Sequence, residues 1–210
     1  MKAITLLSGG KDSFLATLFA LDQGHDVLLS VSVDPHEYSE MFHVPNIGVV
    51  SGISSLLDIP NIHIEEDRFY EEVPVIARKY GAEMIISGAI ASNFQKTRIE
   101  RMCTLNNLIS YTPLWLVDQP REVREVVNSG IRAVFCSVSA EGLGEEYLGQ
   151  ILDEDAINRL IMLNKKYKIN ISGEGGEYES LVTGWLHRNM HIKDTRKEWN
   201  GSSGYFIVDI

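Results

Sequence analysis

The chain predicts an α/β fold, a parallel sheet with helices on both faces followed by a smaller C-terminal α/β portion, and three observations predict it. Short apolar runs of strand character alternate with helix-like segments through the first half of the sequence. A glycine pair, Gly9-Gly10, separates the first apolar run from the first helical pattern. Turn residues at Gly24, Asp34-Pro35, Gly81 and Gly88 then punctuate the successive units.

Ala3-Ile4-Thr5-Leu6-Leu7 is a continuous apolar run, as a strand buried on both faces requires, so residues 2–7 read as the first strand. Residues 13–23 form its helix, and 27–33 the second strand, closed by Asp34-Pro35. A helix over 46–57, a short strand at 62–64 and a helix over 69–80 ending at Gly81 follow. Residues 84–87 read as the fourth strand and 94–108 as the next helix. Beyond it, a β-like stretch at 113–117, an Arg/Glu-rich helix at 120–129 and a strand at 132–138 continue the alternation. Residues 153–167 are strongly amphipathic, 169–172 read as a strand, and short β-like pieces run to residue 210. A division near residue 112 separates a nucleotide-binding part, 1–112, from a substrate-binding part, 113–210.

A chain of 210 residues, 44% hydrophobic, can bury one substantial core with a smaller appendage. The net charge of -10 and pI near 5.1 argue against extended contact with nucleic acid, which calls for a basic face. Cys103 and Cys136 are the only cysteines and show no metal spacing, so a reducing cytoplasmic setting with both thiols buried is expected. No apolar run approaches the length of a membrane span, and the first is too short for a secretion signal. His187 and His191 lie four apart but lack a third ligand, which disfavours a metal site. A homo-oligomer is compatible with the sequence and not dictated by it.

The segment Ser8-Gly9-Gly10-Lys11-Asp12-Ser13 lies where an anion site forms. Glycines let the backbone approach closely, the first helical amides point at the anion, and the helix dipole adds positive charge. The segment has neither the Walker spacing nor the G-x-G-x-x-G of dinucleotide folds. Ligands in open α/β sheets sit at the carboxyl ends of strands, so Asp34 and the stretch from Gly88 to Gln95 are candidates to face the same ligand. As an ordinary turn, that stretch would instead use Ser92 or Asn93 as a helix cap. Gly173-Glu174-Gly175-Gly176-Glu177-Tyr178-Glu179 gathers carboxylates that repel one another unless a cation or amides compensate.

Ser8 to Ser13 resembles the pyrophosphate loop of the N-type ATP pyrophosphatases, a superfamily with a Rossmann-like fold of the adenine nucleotide alpha hydrolase kind. Taken with Gly88-Ala89-Ile90, Ser92, Gln95, Arg98, Glu100, Cys103, Pro113-Leu114-Trp115, Gly142-Leu143, Leu148-Gly149, Leu152-Asp153 and the segment Gly173 to Glu179, the order of motifs resembles the diphthine–ammonia ligase family. The resemblance implies amidation of diphthine on translation elongation factor 2 with ammonia through an acyl-adenylate, releasing AMP and pyrophosphate. It implies ATP held by Ser8, Gly9, Gly10, Lys11, Asp12, Ser13, Asp34, Gly88 and Ser92, with Mg2+ on Asp12. It further implies substrate contacts from Gln95, Arg98, Gly175, Gly176, Glu177 and Tyr178, and catalytic roles for Asp12, Glu174, Glu177 and Glu179.

Because ammonium and the trimethylammonium of diphthine are both cations, the glutamates are expected to attract them, Tyr178 to offer an aromatic face, and one carboxylate, with Glu177 as the first to test, to deprotonate ammonium. Lys11 either adds charge to the phosphate site or points to solvent. Two rival readings are an enzyme acting on transfer RNA with a related loop and a non-catalytic ATP-binding regulator. The acidic composition opposes the first and the unexplained glutamate motif the second.

Overall fold

The structure, a computed structural model, describes residues 1–35 and 46–210. The first half contains β1 (Lys2–Leu6), α1 (Lys11–Asp22), β2 (Asp26–Asp34), α2 (Val50–Ser55), β3 (Asn61–Glu65), α3 (Phe69–Tyr80), β4 (Met84–Ile86), α4 (Asn93–Leu105) and β5 (Ile109–Tyr111). The second half contains α5 (Gln119–Asn128), β6 (Ile131–Val138), α6 (Glu154–Tyr167), β7 (Tyr178–Trp185), β8 (Arg188–Asn189), β9 (Asp194–Trp199) and β10 (Gly204–Asp209).

The first sheet has the order β3-β2-β1-β4-β5 with every pair parallel, so the chain winds outward from β1, returns, and winds the other way from β4. The switch between β1 and β4 opens a crevice at their carboxyl ends. Alternation along β1 sends Ile4 and Leu6 into a core under α3 and α4, built with Phe69, Val73, Ile99 and Met102. Ala3 and Leu7 face the other way, toward Phe14 and Leu15 of α1.

The second sheet, β8-β7-β6-β10-β9, is antiparallel. Its central strands β6 and β7 pack against α1, which therefore lies between the two sheets. One apolar core runs from Ala3 and Met84 through Phe14 and Leu18 to Phe135, Leu181 and Val182. This arrangement explains why α1 reads so weakly as an amphipathic helix: from Lys11 to Ala20 every residue but Asp12 and Phe19 is buried, because apolar surface meets it on more than one side. The N-cap Asp153 of α6 accepts from Ala156 N at 2.8 Å, and α3 ends at Gly81 with φ 68°.

The structure corrects two expected strands. Residues 113–116 form a turn, and the edge strand lies earlier, at Ile109–Tyr111, directly after the end of the expected helix. Residues 169–172 form no strand. Ile169 and Ile171 are buried, which produced the alternating pattern, but side chains satisfy their backbone: Asn164 Nδ2 donates to Ile169 O at 2.7 Å, and Ile171 N donates to Gln119 Oε1 at 2.7 Å.

Two predictions follow from this packing. Phe14 is fully buried and its ring meets Trp185 edge-on at 6.2 Å, so Phe14→Ala is expected to cost about 3–5 kcal/mol, with both sheets lost in one urea transition. Separate transitions for the two halves would contradict the shared core. Gly88, just after β4, lies against the start of α1, where an added Cβ would stand 2.5 Å from Ser13 N. Backbone cannot yield as a flexible side chain can, so Gly88→Ala is expected to lower the melting temperature and to abolish nucleotide binding in a calorimetric titration.

Candidate functional site

The glycine loop after β1 is gripped by a strand far away in sequence. Val182 N, in β7, donates to Gly9 O at 2.9 Å, and Lys11 N donates to Ser180 Oγ at 3.1 Å. Gly9 has φ 90°, where side chains are strained, and a Cβ there would meet Val50 Cγ2 at 3.0 Å. Within the loop, Ser8 Oγ accepts from Gly10 N at 3.3 Å, and Ser13 Oγ accepts from Ser8 N at 3.2 Å. Gly10, at the N-cap of α1, gives no side-chain bond, so the helix start keeps amides available to an anion.

Lys11 does not point to solvent. It is 1% exposed and lies beneath the loop, its ammonium donating to Asp12 Oδ1 and, at 3.3 and 3.4 Å, to both carboxylate oxygens of Glu122. Burial disfavours the charge, yet the Asp12 and Glu122 carboxylates outweigh it and hold the ammonium well above its usual range. Burial pushes the Glu122 carboxyl up, against the pull of Lys11. Sequence reasoning missed Glu122. The available signal was its place on α5, next to Val123 and four residues before Val126, on the face that turns inward.

Two cavities meet at this loop. The first, about 220 Å³, is walled by apolar Leu6, Leu7, Val31, Val33 and Ile99 and by Ser8, Asp12, Ser13, Gly88, Gln95 and Glu174. The second, about 150 Å³, is bordered by Gly10, Lys11, Ser172, Glu179 and Ser180, and shares Ser8, Asp12 and Glu174 with the first. The loop at the start of the chain and the acidic segment near its end thus form one continuous site.

The three glutamates of that segment divide in role. Glu174 Oε1 accepts from Ala91 N at 3.3 Å and from Ser92 N at 2.8 Å, just ahead of α4, where the helix dipole favours a negative charge. Burial raises its carboxyl, opposed by the Ala91 amide. Glu179, at the start of β7, makes no hydrogen bond or ion pair among the described residues, and burial pushes its carboxyl up to about 7. Glu177 borders neither cavity. Its oxygens accept from Asn170 N, Asn170 Nδ2 and Gly175 N, each at 2.8 Å, bonds that hold its own loop in shape. Gln119, also missed from sequence, fixes the other side of that loop through Ile171 N and Asn170 Oδ1.

Tyr178 borders the second cavity but is held largely in the core. It is 2% exposed, its ring lies 4.9 Å from that of Phe135, and its hydroxyl donates to Ile171 O at 2.7 Å. Gly175 and Gly176 are exposed on the outer turn and border neither cavity. Ser92 caps α4, its Oγ accepting from Gln95 N at 3.3 Å, while Gln95 does reach the first cavity. Arg98 stacks on Phe94 with its guanidinium 3.7 Å from the ring centre, outside both cavities. Asp34 Oδ1 accepts from His63 Nδ1 at 2.8 Å at the end of β2 and β3, also outside them.

The donor set fits a nucleotide. The apolar wall suits a base, the glycine loop and helix start suit phosphates, and Asp12, with its side chain 28% exposed and bordering both cavities, can hold a divalent cation that shares phosphate oxygens. Among the described residues no cluster of three histidine, cysteine or carboxylate side chains is arranged to hold a metal by itself. None of the described helices is long and apolar enough to cross a membrane.

The sequence matches family models in both halves: the diphthamide synthase N-terminal domain over residues 1–109 and the diphthamide synthase C-terminal domain over residues 118–210. The diphthine–ammonia ligase of Schizosaccharomyces pombe is 33% identical over 208 residues, covering 87% of this chain and 34% of that protein. The human diphthine–ammonia ligase is 30% identical over 212 residues, covering 87% of this chain and 78% of that protein. The chain thus spans about a third of the fission yeast protein and most of the human one. With both of its halves matched and its pyrophosphate-type loop joined to the acidic segment in one site, this chain belongs to the diphthamide synthase family of diphthine–ammonia ligases.

Proposed function

We propose that this chain amidates diphthine on translation elongation factor 2 with ammonia, driven by cleavage of ATP to AMP and pyrophosphate. The observation that carries the reading is the junction of the two cavities at Ser8, Asp12 and Glu174, which lets an activated acid form in one and meet its amine from the other. A carboxylate is a poor acyl donor, so its attack on the α-phosphate comes first and ammonia then displaces AMP.

In this reading Leu6, Leu7, Val31 and Val33 exclude water from the base of ATP. Ser8, Gly9, Gly10 and Ser13 surround the pyrophosphate as it departs, and the Ser8 and Gly10 amides exchange their bonds within the loop for bonds to it, the interaction that lowers the barrier most in such sites. Mg2+ would be held by Asp12 and would supply positive charge against the phosphates. Lys11 acts from below, neutralised by Asp12 and Glu122, and so fixes the loop rather than reaching the ligand. Glu174 and Glu179 line the amine side, and Glu177 keeps their loop in shape. Residues 1–112 would then supply the nucleotide part and 113–210 the substrate part of one cytoplasmic enzyme.

Incubation with diphthine-bearing elongation factor, ammonium and ATP is expected to give AMP and pyrophosphate together with the mass change of hydroxyl to amine on the modified histidine. Formation of ADP, or ATP cleavage with no mass change, would reject the reading. Glu177→Gln is expected to leave ATP affinity unchanged, to cost about 1–3 kcal/mol in thermal unfolding, and to slow amidation by loosening the segment that carries Glu174 and Glu179. Unaltered melting would show that its carboxylate does not hold the loop.

A further inference from the structure

Ser172 is 3% exposed, and its hydroxyl has no hydrogen-bond partner among the described residues. A buried polar group left alone costs about 1–3 kcal/mol, so such a group at the edge of a cavity marks a place for a ligand. The cavity it borders is the smaller of the two, between the start of α1 and the start of β7. Ser180, 9% exposed, borders the same cavity; its oxygen accepts from Lys11 N and retains a second lone pair. Glu179 completes the wall without a hydrogen bond or ion pair of its own, and Glu174 stands at the rim with only its Oε1 bonded.

We propose that this cavity is the ammonium site, in which the Ser172 and Ser180 hydroxyls and the Glu174 and Glu179 carboxylates receive the N–H groups of ammonium, and Glu179 takes its proton. The proposal rests on the amidation reading and adds to it the place and the base of the second step. Acceptors and carboxylates suit a small cation that donates in every direction. The trimethylammonium of diphthine has no N–H for them and is excluded by the same chemistry. The Lys11 charge nearby does not oppose the cation, because Asp12 and Glu122 compensate it.

In the step, one N–H proton of ammonium passes to the Glu179 carboxylate. The freed nitrogen lone pair forms a bond to the acyl carbon, the bond from that carbon to the AMP oxygen breaks, and AMP leaves with the electron pair. A further proton then leaves the nitrogen for solvent, giving the neutral amide. Burial places the Glu179 carboxyl near 7, so it is ionised above that pH and can accept the proton there. The other titratable or charged groups facing it are Lys11 and Asp12 from α1, Glu174, Tyr178 and the buried Cys136 of β6.

The test compares wild type, Glu179→Gln and Ser172→Ala with diphthine-bearing elongation factor, following ammonium dependence and pyrophosphate–ATP exchange. Glu179→Gln is expected to lower kcat/KM for ammonium about a hundredfold at neutral pH while exchange persists, and the deficit is expected to shrink as pH rises and free ammonia replaces ammonium. Ser172→Ala is expected to raise the ammonium KM about tenfold with exchange unchanged, which keeps the idea testable should the first variant fold poorly. Wild-type ammonium kinetics in both variants would overturn the proposal. If the wild-type protein fails to act on diphthine, the function reading falls instead; soaking crystals with thallium(I), a monovalent cation probe, then decides the cavity. Anomalous density beside Ser172 and Glu179 upholds a cation site, and its absence there overturns it.

Discussion

The structure depends on the grip of β7 on the glycine loop. A loop that binds phosphate through backbone amides must be held in one shape, because a cradle that must order itself on binding loses affinity to conformational entropy. Here Val182 N and Ser180 Oγ hold Gly9 O and Lys11 N from a strand of the second sheet. The same strand begins with Tyr178 and Glu179, so the element that shapes the glycine loop also carries a carboxylate that borders the second cavity. A change in the position of either would be felt by the other through two hydrogen bonds rather than through a long chain of contacts.

The buried charges beneath the loop act in the same direction. Lys11, Asp12 and Glu122 join the start of α1 to α5, and a buried ammonium is tolerated only with such partners. Removing one partner would leave a charge uncompensated in a low-dielectric interior. The triad therefore fixes where Asp12 presents its carboxylate, the group that faces both cavities. Glu174 provides a matching tie on the far wall, from the acidic segment to the amides ahead of α4.

Within the acidic segment, sequence reading treated the glutamates alike because composition cannot tell which amides a carboxylate will find. Gly175 and Asn170 supply those amides to Glu177, which turns that residue inward on its own loop. Tyr178 shows a related effect. An aromatic residue among charges reads as an exposed ligand contact, whereas antiparallel pairing with β6 places most of it beside Phe135 in the core, at the border of the second cavity. The alternation of Ile169 and Ile171 failed as a strand signal for a similar reason: burial alone creates the pattern, and here Asn164 and Gln119 replace a neighbouring strand as backbone partners.

Local signals settled much by themselves. The apolar run of β1, the glycine pair after it and the helix behind it determined a parallel α/β unit with its glycine loop at the switch point, since steric freedom and strand burial act over a few residues. The acidic segment likewise announced a charged site. Only the tertiary structure decided that Lys11 is buried on Glu122 of α5, that Ser180 reaches the phosphate loop and that Ser172, at a cavity, is left without a partner among the described residues. Those facts join residues more than 100 positions apart, and no local preference encodes such a pairing. It arises because one core between two sheets draws both ends of the chain onto α1.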